Sequence, residues 1–313
     1  MNRSLPARNP AIDVVKGMLI LLVIAGHLVP GSLTDSLARH LIYGFHMPLF
    51  IGLAGYLFPS LVVGQASLPD VFKKYRLRLI LPWVIAVIAY FAMREPFSLS
   101  GLAWSFLKPF YHLWFVPAFC FWVALSWMGL RLRMSFVQIF VAGLVLSALV
   151  WVVLARGDAL GYAGIILNAT RPQYYAFFAL GMLLRHTPPH KSAVFQLIAL
   201  VGLVVHLALF DRQILWLEGV NFFVFNLALL ASTAIWIEKG RSTQKFLEWV
   251  GVHSLALYLW HMMPILMARI FLPDVTLYYL AAISGLAVFF AAYALLSKSD
   301  VLRKYVFGLS HKL

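Results

Sequence analysis

The chain of 313 residues is 63% hydrophobic and 12% charged, whereas a soluble domain is about 45–50% apolar and about a quarter charged, so an ordinary water-soluble core is excluded. A mean hydropathy of +0.88 agrees, and the apolar surplus has to face lipid. The net charge of +14 would raise nucleic-acid binding in a soluble protein, but here the basic residues fall in short connections between apolar runs, as topology signals do.

A span needs roughly 20 mostly apolar residues. About ten are predicted, over residues 12–32, 41–64, 77–95, 111–130, 135–155, 160–184, 193–210, 219–237, 251–272 and 275–297. The sixth is interrupted by Asn168, Arg171 and Pro172. With the amino terminus in the cytoplasm, 17 Lys and Arg fall on the inner side, among them Arg3, Arg8, Lys191, Arg241 and Lys312. Seven fall outside, among them Arg94 and Arg156. This excess is what the positive-inside rule expects, and dropping one span would scramble it. The fold class is therefore an all-α transmembrane bundle, a single domain over residues 1–313 with both termini cytoplasmic. The first apolar run lacks a small-x-small site after it and is expected to stay as a helix. Cys120, the single cysteine, excludes an internal disulfide and any multi-cysteine metal site, and no metal is expected.

The first span carries Asp13, Lys16 and His27. Lys16 and His27 are eleven residues apart, so on a helix they share one face within roughly 20° and lie ~16 Å apart along the axis. Ionisable groups within spans are costly and normally face a bundle interior or a wet cavity. Lys16 has a plain alternative, since a lysine near a helix end can snorkel to the headgroups. His27 lies in the outer part of the membrane and still needs hydrogen-bond partners there, as a functional or a satisfied structural group. Asp13 is the expected partner of Lys16, three residues on and on the same face.

Farther along, His46 precedes Pro48 in the outer half of the second span, either with a role or bonded to backbone that the proline frees. Arg76 and Arg78 stand at the inner end of the third span. They read as a topology signal drawn to anionic lipids or as a cradle for phosphates. His112 and Trp114 open the fourth span from outside, where a tryptophan also suits the interfacial aromatic belt. Arg171 adjoins the break at Pro172, and non-helical backbone at membrane depth usually lines a cavity. His261 falls near mid-bilayer. The pattern is polarised, with a basic entrance inside and histidines and aromatics at depth and outside.

These residues resemble the motifs of the acyltransferase-3 family of integral membrane acyltransferases. The matching positions are Asp13-x2-Lys16-x10-His27, Phe45-His46-Met47-Pro48-Leu49-Phe50 with Gly55, and Arg76-x-Arg78 before Leu81-Pro82. His112-Leu113-Trp114-Phe115 with Pro117, Phe177-Phe178-x-x-Gly181, and Gly251-x-x-Ser254-Leu255 with Tyr258 and His261 follow in family order. The nearest branch is similar to sugar O-acetylases of the fucose 4-O-acetylase type. Many members carry arginine where this chain has Lys16, and lysine keeps the charge but loses the fork. The extra periplasmic domain of some relatives has no counterpart here.

The resemblance implies a ten-helix bundle in a bacterial inner membrane that takes an acyl group, usually acetyl, from cytoplasmic acyl-CoA. No resident cofactor is implied; acetyl-CoA is the donor substrate. The acceptor is a sugar hydroxyl on a cell-surface glycan or its lipid-linked precursor. His27 becomes the catalytic histidine, and Asp13, Lys16, Arg76 and Arg78 the donor side. Trp114, His112 and Arg171 fall on the acceptor side. Thioester-to-hydroxyl transfer needs a base, oxyanion stabilisation and in-line substrates. Imidazole, with an unperturbed pKa of about 6.5, suits the first task. His46 or His261 is left to orient His27 or to donate to the oxyanion. The rival from another class is a secondary transporter with Lys16, His27 and His261 as a relay. The absence of an obvious internal repeat counts against it.

Overall fold

The computed structural model describes residues 9–29, 31–94, 96, 98–154, 161–189, 192–210, 212, 214–240, 243–272 and 275–309. Arg3, Arg8, Arg156, Lys191, Arg241 and Lys312, used above to orient the chain, lie outside the described residues, as do both chain ends and the Arg94 side chain. Within the described residues all regular structure is helical.

In chain order the helices begin with α1 (Pro10–Leu28), α2 (Leu37–Tyr56), α3 (Ser60–Val63), α4 (Leu68–Tyr75), α5 (Leu81–Arg94) and α6 (Leu99–Leu107). Next come α7 (Phe115–Arg131), α8 (Phe136–Leu154), α9 (Gly161–Thr170), α10 (Tyr175–His186), α11 (Ser192–Ala208) and α12 (Leu215–Glu238). The last are α13 (Lys245–Val252), α14 (Ser254–Trp260), α15 (Met262–Phe271), α16 (Val275–Leu296) and α17 (Asp300–Tyr305).

Among the described residues, six stretches are long and apolar enough to cross a membrane: Pro10–Leu28, Leu68–Met93, Phe136–Leu154, Trp216–Glu238, Ser254–Phe271 and Thr276–Leu296. Each overlaps a predicted span. Phe115–Arg131 and Ala193–Ala208 are apolar but shorter. The break expected in the sixth predicted span is present. α9 stops at Thr170, Arg171 adopts a left-handed conformation (φ 44°, ψ 52°), and Pro172–Tyr174 forms a 3-10 turn before α10.

The third predicted span needs a correction. Helix begins at Leu68, not near residue 77, because Ser67 caps it and Pro69 occupies its first turn. Arg76 and Arg78 therefore lie within a helix, on a five-residue π-helical segment, Arg76–Ile80, that joins α4 to α5. Pro82 supplies the reason. It has no N–H for the carbonyl of Arg78, four residues back, and its ring crowds that carbonyl, so the helix widens just before it.

The chain divides into two units, Met1–Phe50 with Leu184–Ser254, and Ile51–Leu183 with Leu255–Leu313. In the first, α1 starts with Asn9, whose side chain accepts from the Ala11 N–H at 2.9 Å and donates to the Ile237 carbonyl on α12 at 2.9 Å. α1 packs on α13 through glycines on both sides: a Cβ on Gly17 would overlap the Leu247 carbonyl, and one on Gly251 the Asp13 carbonyl. Small residues let helix backbones touch, which is how helices gain dispersion energy where lipid removes the hydrophobic drive. The second unit repeats the device. A Cβ on Gly55 would overlap the Phe178 carbonyl, and one on Gly181 the Gly52 carbonyl.

Candidate functional site

Asp13 is buried in the first turn of α1, and the Lys16 ammonium donates to its Oδ1 at 2.8 Å, with 24% of the lysine side chain exposed. The pairing expected from the spacing is present. Asp13 neutralises Lys16 without enclosing it, and the contact takes one of the ammonium's three donors. The helix crossing that buries Asp13 is the one that Gly251 permits.

His27 sits in the last turn of α1, half-buried. Its Nδ1 lies 3.4 Å from the Tyr43 hydroxyl. Tyr43 also turns its ring edge to His46, with centroids 4.9 Å apart at 81°, and carries the Arg39 guanidinium over its face at 5.2 Å. Arg39 in turn donates to the Gly31 carbonyl at 2.5 Å, just past the end of α1. Tyr43 thus stands between His27 and His46. The buried His46 donates through Nδ1 to the Ile42 carbonyl at 2.6 Å. A carbonyl can only accept, so this fixes the tautomer and puts the ring lone pair on Nε2.

The proline explanation offered for His46 needs amendment. The carbonyl that Pro48 frees is that of Gly44, four residues back. It accepts from the Asn226 amide on α12 at 2.8 Å, not from His46. Gly44 also seats the His206 ring, which stacks on His40 at 4.0 Å. Each of these two imidazoles bonds the other's backbone carbonyl at 3.0 Å.

In the second unit, Arg76 and Arg78 are exposed on the π-helical segment and make no ion pair with a described residue. Gly308, at φ +68°, packs directly against the Arg78 carbonyl that Pro82 leaves without an N–H. A wider helical turn swings its side chains out of the α-helical register, and both guanidinium groups are exposed there, as are Lys73 and Lys74 in the last turn of α4.

The remaining candidates of this unit form one cluster. His112 is buried and directs Nε2 to the Leu259 carbonyl at 3.3 Å, and the Tyr258 hydroxyl donates to the His112 carbonyl. Pro117 frees the Leu113 carbonyl, and Trp83 Nε1 donates to it at 2.9 Å. His261 falls at the junction of α14 and α15, with Nδ1 reaching the Leu257 and Tyr258 carbonyls at 2.8 and 3.0 Å. Its ring centroid is 4.9 Å from that of His112. Both rings spend a donor on carbonyls near a helix end, where such groups need partners.

Beside them, the Arg171 guanidinium lies 5.1 Å over the Trp114 ring, and Trp114 stacks on Tyr174 at 6.0 Å and 27°. Trp122 Nε1 holds the turn by donating to the Arg171 carbonyl at 3.2 Å. Arg171 Nε and the Oε1 of the buried Gln173 are enclosed without a hydrogen-bond partner among the described residues. Leaving two such groups unpaired costs roughly 1–3 kcal/mol each, which a polar ligand in the turn would recover.

The folded chain therefore groups Asp13 with Lys16, His27 with His46 through Tyr43, His112 with His261, and Trp114 with Arg171. Three contributors went unrecognised in the sequence. Tyr43 was legible, since it precedes His46 by three residues and follows Arg39 by four, on one helix face. Gln173 and Asn226 carry no sequence signal, because their significance depends on partners folded around them.

Fold and composition together define an all-helical integral membrane protein whose candidate groups sit on helix ends and helix breaks. The chain matches the acyltransferase domain of the acyltransferase-3 family over residues 9–296, and it belongs to that family. It is also similar to the nodulation protein NolL of Mesorhizobium japonicum, at 28% identity over 194 residues, 56% of this chain and 48% of the relative. The chain thus spans about half the length of that relative. No solved structure matches it.

Proposed function

We propose that the protein is an O-acyltransferase. It moves an acyl group, acetyl in the usual case, from cytoplasmic acyl-CoA to a hydroxyl of a cell-surface saccharide or its lipid-linked precursor. The observation that carries this reading is the family match across residues 9–296. In the proposal ten helices span a bacterial inner membrane with both termini cytoplasmic, four of them short or broken. His27 takes the proton from the acceptor hydroxyl, whose oxygen attacks the thioester carbon. The tetrahedral oxyanion then collapses, breaks the C–S bond and releases CoA as thiolate, which the imidazolium reprotonates. Tyr43 orients His27, with His46 behind it. Lys16 with Asp13, and Arg76 with Arg78, meet the phosphates of the donor, for which cationic donors are suited. Trp114, Arg171 and Gln173 receive the saccharide. His112 and His261 hold the turn that presents Trp114.

The direct test is purified protein with acetyl-labelled acetyl-CoA and a saccharide acceptor. Label on the saccharide is expected; label remaining on CoA sinks the reading and returns the protein to transport. In that assay Lys16→Gln raises KM for acetyl-CoA about tenfold with little change in kcat, as loss of ground-state binding does. Because this variant strands the Asp13 carboxylate, the Asp13→Asn, Lys16→Gln pair is the cleaner probe. An unchanged KM in both assigns Lys16 to snorkelling.

Tyr43→Phe keeps the ring against His46 and Arg39 and removes only the hydroxyl beside His27. Turnover falls about fivefold, as expected for about 1 kcal/mol of orientation, while thermal stability is unchanged. Wild-type turnover in this variant would remove Tyr43 from the mechanism.

A further inference from the structure

The second unit contains a cavity that no step above uses. It has a volume of about 480 Å³ and lies between α5 and α6, with the segment Lys108–Tyr111 as one rim. We infer that it binds the phosphate head of an acidic amphiphile.

Aromatic faces dominate the walls: Tyr90 and Phe91 from α5, Trp104 from α6, and Phe110 and Tyr111 from the rim. The two serine hydroxyls of the wall are already engaged. Ser98 Oγ accepts from the Gly101 N–H at 3.1 Å, and Ser105 Oγ donates to the Gly101 carbonyl at 3.0 Å. Gly101 keeps the wall thin, since a Cβ there would crowd Ser98 Oγ at 2.6 Å and Phe91 at 3.1 Å. Lys108 is the one charged side chain among the described lining residues, and it is exposed. Its placement is built into the backbone. It ends α6, and the turn after it contains Pro109 and then Tyr111 at φ 38°, a conformation that a bulky residue adopts only when its surroundings hold it there.

The mouth of the cavity has a definite setting. α6 is a nine-residue helix that exposes Leu99, Trp104 and Leu107, and Tyr111 beside it is 56% exposed. An apolar edge rimmed by aromatics and one lysine is the composition of a helix lying in the membrane interface. That is the depth of lipid phosphates. An acidic head entering the cavity meets the Lys108 ammonium, its chain runs out along the apolar edge of α6, and aromatic faces take the apolar or sugar faces next to the phosphate. The inner wall also leads toward the candidate site, because Tyr90 stacks on Phe110 at 5.0 Å and meets the His112 ring edge at 5.5 Å. A lipid-linked saccharide held by its phosphate here would lie six residues of chain from Trp114. Two sources supply this chemistry, a polyprenyl phosphate carrier and an acidic phospholipid of the bilayer.

The test reads binding without turnover, so its outcome is separate from that of the transferase reading. Purified protein in a neutral detergent micelle is titrated with a polyprenyl phosphate, with phosphatidylglycerol and with phosphatidylcholine, and complexes are counted by native mass spectrometry. The acidic amphiphiles are expected to bind wild type and Lys108→Arg alike and Lys108→Gln about tenfold more weakly, as loss of one desolvated charge contact predicts. A tenfold preference for the polyprenyl phosphate assigns the cavity to a lipid carrier, and equal binding of the two acidic lipids assigns it to bilayer headgroups. Equal retention of phosphatidylcholine by wild type, or binding indifferent to both Lys108 substitutions, overturns the inference.

Discussion

His27→Ala is expected to reach the membrane at normal abundance and to lose acyl transfer by about 10²–10⁴-fold, the contribution of a positioned general base. The two halves of this expectation have separate physical grounds. Abundance survives because His27 is half-buried in the last turn of α1 and contributes little to the packing that holds that helix. The load is carried by Gly17 on Leu247 and by Asn9 on Ile237, each more than two turns away. Activity fails because no side chain takes over the proton. A tyrosine phenol stays protonated at neutral pH, so Tyr43 offers no effective base in the place of His27. His46 keeps its lone pair on Nε2, but its ring is buried behind the ring of Tyr43. Saccharide acetylation in cells, normalised to the protein in the membrane, is the measurement. Retained acetylation at normal abundance removes His27 from the chemistry.

Gly251→Leu should have the second-largest effect, and it acts on folding. A Cβ at this position would overlap the Asp13 carbonyl, which is backbone and cannot rotate away. α1 and α13 must then separate, losing their close contact and opening the burial of Asp13. Overpacking of this kind costs about 3 kcal/mol, which for a protein of this size lowers the melting temperature in detergent by about 5 °C. Gly181→Leu, whose Cβ would overlap the Gly52 carbonyl, should do the same in the second unit. Gly64→Ala is the milder comparison, because its new atom would meet the Leu130 Cβ at 3.2 Å and ask that neighbour to give by only a few tenths of an ångström. Thermal stability equal to wild type in Gly251→Leu would refute the close crossing.

These glycines show how the motifs divide between chemistry and architecture. Gly55, Gly181 and Gly251 were legible as parts of motifs but not as contacts, since each partner carbonyl lies more than 100 residues away in the chain. The prolines behave likewise. A proline announces in the sequence that the carbonyl four residues back loses its N–H partner, yet what happens at that carbonyl is decided elsewhere. At Gly44 it is Asn226, at Leu113 it is Trp83, and at Arg78 the helix widens and Gly308 packs against the opening.

The all-helical class, the apolar character of the long helices and the break at Pro172 could be read directly, and so could the Asp13–Lys16 pair. Hydropathy and i,i+3 spacing are properties of neighbouring residues, and helix closes its own hydrogen bonds within four residues. The start of the third helix at Leu68 was missed because Lys73, Lys74, Arg76 and Arg78 mask an apolar signal that Ser67 and Pro69 override. Tertiary structure alone decided that Tyr43 stands between His27 and His46, that His261 faces His112, and that Gln173 is enclosed with Arg171. Each of these depends on which faces of which helices meet. That choice follows from backbone contact at a few glycines and from the satisfaction of buried carbonyls, both of which join residues far apart in the chain.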